Sequence, residues 1–535
     1  MSPTSVPNGL ASTVRQAVAR GDVEQALSHV YGVYGKGEFV QAEQLCRIVL
    51  QARPAERQAL HLLALILAQT GRAAESLRLF SSVASLGGAG PVLFLNWGNA
   101  LRQTGHLLEA LAQYKRALEM RADFAEAHSA CGVVLLTLKR PAEALACFDR
   151  AITLQPDSAD ALSNRGAALT QLGRHAEAME DFDRALALRP NNAQAHYNRA
   201  LTLRAMNRPL DALASCDRAI ALNPNNAGAQ SLKAQTLILL GRYAEGWPLH
   251  EWRWQGRQRH SARQFAQPQW KGDVSLAGKT LLICSEMGLG DTIQFSRYVH
   301  SAEAAGAGVV LEVQPALASL MATLRSRAAV VPAGQPLPPF DLYCPMMSLP
   351  YAFRTVPENI PNSVPYLYVP AEKAREWRQK LGTRTLPRVG IAWAASSSHD
   401  SGPARSMRIE ELDSLLALPM EFHVMQKEID AAELQQLAAR TNVTVHAPDL
   451  RDFLDTAALI DEMDVVVSVD TVIVHVAGAL AKSVLVMLPF AADYRWLMDR
   501  SDSPWYPTAQ LFRQPAPDDW GSVVAAVTGE LMRRL

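Results

Sequence analysis

Apolar positions in the first half of the chain return at a fixed interval. Ala110, Ala144, Ala178 and Ala212 stand 34 residues apart. Tyr114, Phe148, Phe182 and Cys216 follow them by four positions, and Ala117, Ala151, Ala185 and Ala219 by seven. Those spacings put an Ala/aromatic/Ala set on one face of a helix. Twelve positions before each leading alanine stands a small residue, Gly98, Gly132, Gly166 or Ala200, which lets a preceding helix approach that face closely. Ala122, Pro156, Pro190 and Pro224 close the units, and proline stops a helix. Turn glycines recur at Gly37, Gly71, Gly105, Gly173 and Gly241, with Lys139 and Asn207 in the same place. The register reaches upstream to Ala42, Cys46, Pro54, Ser76 and Phe80, and downstream to Ala234 and Gly246. The pattern predicts helix–turn–helix units. Neither helix can bury its apolar face alone, so the units must stack into a superhelix.

From about Trp247 the period breaks. GWPLHEWRWQGR reads as a packed seam or as a substrate-facing lip, and a different pattern follows. Apolar runs at 279–286, 308–314, 388–395, 421–427, 442–448, 464–470 and 483–489 predict strands, with FDLYCPM and PYLYVP as further short ones. TIQFSRYVHSAEAAG predicts one amphipathic helix, another runs to Leu324, and AEKAREWRQKLG (371–382) a third. Helices at about 408–418, 430–440, 453–463, 471–481 and 519–535 alternate with the later strands. Such alternation implies parallel sheets covered on both faces. Two series joined by a linker imply two Rossmann-like halves facing a cleft, with ligands at the carboxyl ends of the strands.

The 34-residue units resemble tetratricopeptide repeats over roughly 30–255, with a helical cap before them. Asn96, Asn164 and Asn198 recur at one position of the first helix, facing the concave groove if the usual packing holds. A ladder of asparagines can hydrogen-bond an extended peptide. Protein O-GlcNAc transferases, which resemble this chain in joining such repeats to a transferase, have such a ladder. The other reading is that Asn is simply common at this position.

Composition narrows the classes. Lys plus Arg is 52 and Asp plus Glu is 52, a balance that argues against a dedicated nucleic-acid binder. With 49% hydrophobic residues the chain can bury large cores. The six cysteines form no CxxC pair, so a disulfide framework or zinc ribbon is not expected. The amino terminus lacks a secretory pattern, and the apolar stretch 464–492 is interrupted by Asp470, His475 and Lys482. The expectation is a cytoplasmic protein without a transmembrane segment.

Two places could carry chemistry. Gly288-Leu289-Gly290-Asp291 follows a strand and opens a helix, where backbone N–H groups suit an anion; Asp291 is equally a helix cap. It is neither a Walker loop nor GxGxxG. In VVVSVDTVIVHVAGAL, Ser468, Asp470 and Thr471 lie at a strand's carboxyl end. Thr471 can cap the next helix and offer N–H and hydroxyl groups to a diphosphate, and His475 on that helix could donate to a phosphate oxygen or be a satisfied core histidine. No DxD ends a strand here, so a metal-bridged diphosphate is not suggested.

SEMGLGDTIQFSRY, RVGIAWAA…ARS, LRDFLDTAALI and VVSVDTVIVHVAGAL together resemble the glycosyltransferase family of the ADP-heptose:lipopolysaccharide heptosyltransferases (glycosyltransferase family 9 type), in its bacterial branch fused behind tetratricopeptide repeats. The resemblance spans about 275–520. It implies a GT-B-like α/β domain of two Rossmann-like halves, an inverting mechanism and no required metal or cofactor. By that resemblance Asp291 is the general base. Gly288, Gly290, Ser468, Asp470, Thr471 and His475 hold the donor's diphosphate, and Arg405 or Ser406 neutralises phosphate charge. Gln426 and Lys427 contact the nucleotide; Asp455 and Thr456 line the same side or are helix-surface structure. Where the family motif has Gly after Asp-Thr, this chain has Val472. The expected organisation is a cap region at 1–29, repeats at 30–255, a first transferase half at 256–383 and a nucleotide-sugar-binding half at 384–535. The expected function is sugar transfer from a nucleotide-sugar to a protein acceptor held by the repeats. The alternative is a non-catalytic interaction scaffold with a degenerate transferase-like domain.

Overall fold

The 34-residue period is realised as paired helices joined by tight left-handed turns. Gly37, Gly71, Gly105, Gly173 and Gly241 have φ between 75° and 83°, and Lys139 and Asn207 adopt the same turn at 60° and 55°. A computed structural model describes residues 8–256, 263, 265–395 and 405–534. Its contacts form two units, Met1–Thr202 and Leu203–Leu535.

The first unit is helical, and the expected cap region at 1–29 holds the helix Asn8–Ala19 and the start of a second, Val23–Gly35. The small residues act as the spacing implied. A Cβ on Gly98, Gly132 or Gly166 would lie 2.4, 2.6 or 2.8 Å from the ring of Tyr114, Phe148 or Phe182. Those rings are fully buried. In these three repeats the two helices thus meet at a glycine–aromatic contact, and the alanines around it keep the seam narrow.

The second unit begins with the helices Pro209–Leu222, Ala227–Leu239 and Tyr243–His250 and continues into two parallel sheets. Four strands, β1 (Thr280–Cys284), β2 (Gly308–Val313), β3 (Ala329–Pro332) and β4 (Leu342–Pro345), are ordered β3-β2-β1-β4. Six more are β5 (Arg388–Ala392), β6 (Glu421–Val424), β7 (Val443–Val445), β8 (Val465–Val469), β9 (Val484–Leu488) and β10 (Ala509–Arg513). They are ordered β10-β9-β8-β5-β6-β7. Read from the β7 edge, this is the 3-2-1-4-5-6 order of a doubly wound parallel sheet. β5, β8 and β9 are buried along their whole length, as helices on both faces require. Ile238, Leu239, Tyr243 and Trp247 share a core with residues of β1, β2 and β9, so these last helical residues before position 255 fold with the sheets.

Three expectations need correcting. β3 and β10 are strands that the hydrophobic pattern did not single out. PYLYVP is not a strand; Tyr366 and Leu367 donate their N–H groups to the Ala479 carbonyl, so the segment is spent on the end of a helix. TIQFSRYVHSAEAAG is two helices, Leu289–Phe295 and Tyr298–Ala304. The break is chemical. The Ile293 carbonyl accepts from Ser296 Oγ at 2.9 Å and Tyr366 OH at 3.0 Å, and the Gln294 carbonyl accepts from Arg297 Nε at 2.7 Å. Side chains capture the carbonyls that a continuous helix would use. Among the described residues no helix is long and apolar enough to cross a membrane.

Candidate functional site

In the six-stranded sheet the strand order reverses between β5 and β8, the position at which doubly wound sheets take ligands. The chain leaves β8 through Asp470 and Thr471 into the helix Val472–Ala479. Thr471 caps that helix in an extended conformation, with Oγ1 accepting the Ile473 N–H at 3.3 Å. Ser468 Oγ lies 3.1 Å from the same hydroxyl and donates to the Val469 carbonyl at 2.7 Å. Asp470 is 2% exposed and accepts from Arg405 Nη1 at 3.3 Å. Burial pushes its carboxyl above the usual range, against the pull of Arg495 and Arg405. Arg405 Nε is buried and has no hydrogen-bond partner among the described residues.

Other strand-end residues are occupied in bracing. Ser406 Oγ accepts the Ala395 N–H at 3.0 Å. Gln426 Oε1 accepts from Trp393 N at 3.3 Å and Ala394 N at 2.9 Å, and its Nε2 donates to the Glu428 carbonyl. Gln426 therefore ties the ends of β5 and β6 together, while Lys427 is exposed. Asp455 accepts from Trp377 Nε1 and Arg451 Nε, each at 3.1 Å, and pairs with Lys373. Burial opposes its charge, but these donors bring the carboxyl down to about 2. Thr456 Oγ1 donates back to the Asp452 carbonyl. Residues 396–404 of the expected phosphate loop lie outside the described residues.

The first sheet supplies Gly288–Asp291 at the carboxyl end of β1. Asp291, the third residue of the helix Leu289–Phe295, reaches back to accept the Gly288 N–H on Oδ2 at 2.9 Å. Its Oδ1 accepts from Arg495 Nη2 at 2.9 Å. Gly290 is required by the second sheet's histidine: a Cβ there would lie 2.6 Å from His475 Cδ2. The adjacent pair Gly290 and Asp291 is thus brought together with His475, which is far from both in sequence.

His475 is 3% exposed, with Nδ1 2.9 Å from Tyr506 OH and Nε2 3.3 Å from Arg495 Nη1. A guanidinium only donates, so Nε2 accepts and Nδ1 carries the proton to Tyr506. Burial, with Arg495 and Arg297 nearby, holds the imidazole well below its ordinary range and neutral. Both nitrogens are engaged within the protein, the arrangement of a satisfied core histidine rather than of a donor to phosphate. Gly478 has a matching role, since a Cβ there would lie 2.3 Å from the Tyr506 ring.

Sequence reasoning missed Arg495, the hub of this cluster. Besides Asp291 and His475 it donates through Nε to Asp493 Oδ1 at 2.9 Å and through Nη1 to Gln294 Oε1 at 3.1 Å. It also missed Arg297, 2% exposed, whose fork serves the carbonyls of Gln294 and Trp505 and the hydroxyl of Tyr366. The available signal for Arg495 was position: FAADYRWLMDRSD follows the apolar run of β9, so it stands at a strand's carboxyl end.

In the first unit, Asn96 Nδ2 lies 3.2 Å from His61 Nε2, and Asn198 Oδ1 accepts from Gln194 Nε2 at 2.8 Å. Asn164 is half-buried. A pocket of about 370 Å³ opens beside Pro91–Gln103, Ala125–Thr137 and Ala159–Gln171, lined by Asn99, Arg102, Glu126, Ser129, Gln155 and Asp160 among others. The three recurring asparagines are not among its lining residues.

Family models described as tetratricopeptide repeat match residues 95–158, 133–203 and 193–226. The helical array consists of tetratricopeptide repeats. The chain is 27% identical over 302 residues to Protein FlbA of Caulobacter vibrioides, covering 51% of this chain and 50% of that protein. It spans about half the length of the curated relative it matches. Among solved structures, a tetratricopeptide repeat protein from Parabacteroides merdae is 18% identical, with 44% of this chain and 94% of that chain covered at a TM-score of 0.39. A thermophilic repeat protein of Thermus thermophilus is 20% identical, with 34% and 99% covered at a TM-score of 0.31.

Proposed function

We propose that the two-sheet region is a glycosyltransferase of GT-B architecture that takes a nucleotide-sugar and transfers its sugar, with inversion and without a metal, to a protein acceptor bound by the repeats. The observation that carries this reading is the 2.9 Å contact of Asp291, at the end of a strand of one sheet, with Arg495, beyond the end of a strand of the other. An acid and a cation are thereby assembled beside the Thr471 helix start. In this reading the diphosphate lies against Thr471, within reach of Arg405. Asp291 takes the acceptor hydroxyl proton as that oxygen bonds the anomeric carbon. The bond from that carbon to the diphosphate oxygen breaks, and the departing charge is met by arginines and the helix N-terminus. Repeats of this kind hold protein partners, which supports a protein as the acceptor.

The test is transfer and donor hydrolysis by the purified full-length protein across UDP-, GDP-, ADP- and CMP-sugars. Loss of a general base costs about 10²–10⁴-fold, so Asp291→Ala should fall by that factor in turnover. Absence of turnover with every donor, together with absence of nucleotide binding, would refute the reading. A second reading, a scaffold whose transferase-like region no longer catalyses, is favoured by one observation. Both Asp291 oxygens and both His475 nitrogens are satisfied within the protein. Nucleotide binding without turnover would select it.

A further inference from the structure

We propose that Arg495 is the residue that meets the donor's diphosphate, and that Asp291 competes with the diphosphate for it. Diphosphate binding and release of the Asp291 carboxylate are then one exchange. The inference rests on the reading of the Thr471 helix start as a diphosphate site, but not on catalysis.

The geometry of the guanidinium carries it. Asp493 holds Nε from behind, so the group keeps its place when its other partners change. Nη1 serves Gln294 and His475, and Nη2 serves Asp291. An arginine has five N–H donors, so one on Nη2 is left without a partner among the described residues. His475 is the fourth residue of the helix that Thr471 caps, and so stands in its first turn. Arg495, bonded to His475, therefore stands beside the first turn of the helix that would cradle the phosphates. Arg405, on Asp470, reaches the same strand end with a buried Nε that has no partner among the described residues.

Asp291 is built for such an exchange because its two oxygens have different holders. Oδ2 is kept by the Gly288 N–H, a bond internal to its own helix start. Oδ1 is kept by Arg495 alone among the described residues. A diphosphate carries more charge than one carboxylate and can take both Nη2 donors. Asp291 would then lose its cation without losing its orientation, and Oδ1 would be free to accept a proton. Donor binding before acceptor activation follows from this arrangement.

The test uses the full-length protein, with inorganic pyrophosphate, UDP, GDP and ADP titrated by calorimetry. Asp291→Asn keeps a carbonyl for the Gly288 N–H and removes the competing charge. It should bind these anions about 10-fold more tightly than wild type, the scale of one lost charge-assisted contact. Arg495→Gln should bind at least 10-fold more weakly, and adding Asp291→Asn to it should restore nothing. Carbodiimide labelling of wild type gives an independent reading: pyrophosphate should raise modification of Asp291, and unchanged or reduced labelling would overturn the exchange. Wild type that binds diphosphates while Asp291→Asn binds them equally or less well also overturns it and leaves the donor site standing. If neither protein binds pyrophosphate or any nucleoside diphosphate, the diphosphate site itself is wrong.

Discussion

Replacing Gly290 with alanine probes a close approach between the helices Leu289–Phe295 and Val472–Ala479. The added Cβ would stand 2.6 Å from His475 Cδ2 and 3.0 Å from Nε2. Carbon atoms rest about 3.5–4.0 Å apart, so the ring or the helix must yield by about 1 Å. The ring is not a free end. Tyr506 and Arg495 hold its two nitrogens, and Trp496 stacks on it with centroids 6.0 Å apart. Overpacking of this kind costs about 1–3 kcal/mol, and losing a bond to a charged group adds about 1.5–3 kcal/mol. Alanine's helix preference returns at most about 1 kcal/mol, and less in a first turn. The expected net loss is about 1.5–6 kcal/mol. Gly529→Ala is the control. It lies in the helix Trp520–Arg534 with nothing within 4 Å of the added carbon, and it should gain about 0.5–1 kcal/mol. Scanning calorimetry of the full-length proteins reads both as opposite shifts in melting temperature. If Gly290→Ala melts at or above wild type while Gly529→Ala gains as expected, the close approach of Gly290 to His475 is wrong.

Two further outcomes follow from buried charge. His423 Nδ1 and His446 Nε2 lie 2.9 Å apart, and burial pushes both rings down to about 4, helped at His423 by its neighbour. Their unfolded values are near 6.5, so between about pH 6.5 and 4 the unfolded chain binds more protons. Their contribution is full above that window and is lost as pH falls through it, by at most about 1.4 kcal/mol per pH unit for each ring. His446→Leu should flatten the pH dependence of urea-unfolding stability relative to wild type; an identical slope in both proteins would count against a neutral buried pair. Arg297→Lys keeps the charge but cannot serve the carbonyls of Gln294 and Trp505 and the Tyr366 hydroxyl together. It should lose on the order of 3 kcal/mol in denaturant titration, and a loss under about 1 kcal/mol would show the fork to be dispensable.

Much of the architecture is legible in the sequence because burial imposes a local period. The glycine–aromatic spacing of the repeats, the turn positions at Lys139 and Asn207, and the apolar strands alternating with helices all repeat at short range. Thr471 as a helix cap is a local signal of the same kind. Gly290 and His475 could be singled out but not joined, since nothing near either residue names the other as its reason.

Sequence alone determined where helices and strands form and that acidic and small residues stand at strand ends. Tertiary structure alone decided which of them meet. Arg495 and Asp291 are 204 positions apart, and Arg297 reaches Trp505 over 208. Of the three side chains that take up carbonyls at the break after Phe295, Tyr366 is supplied by a distant loop. Hydrophobic faces repeat along the chain and so can be read from it. A buried ion pair has no period, and its partner is set only when two sheets bring their strand ends to the same place.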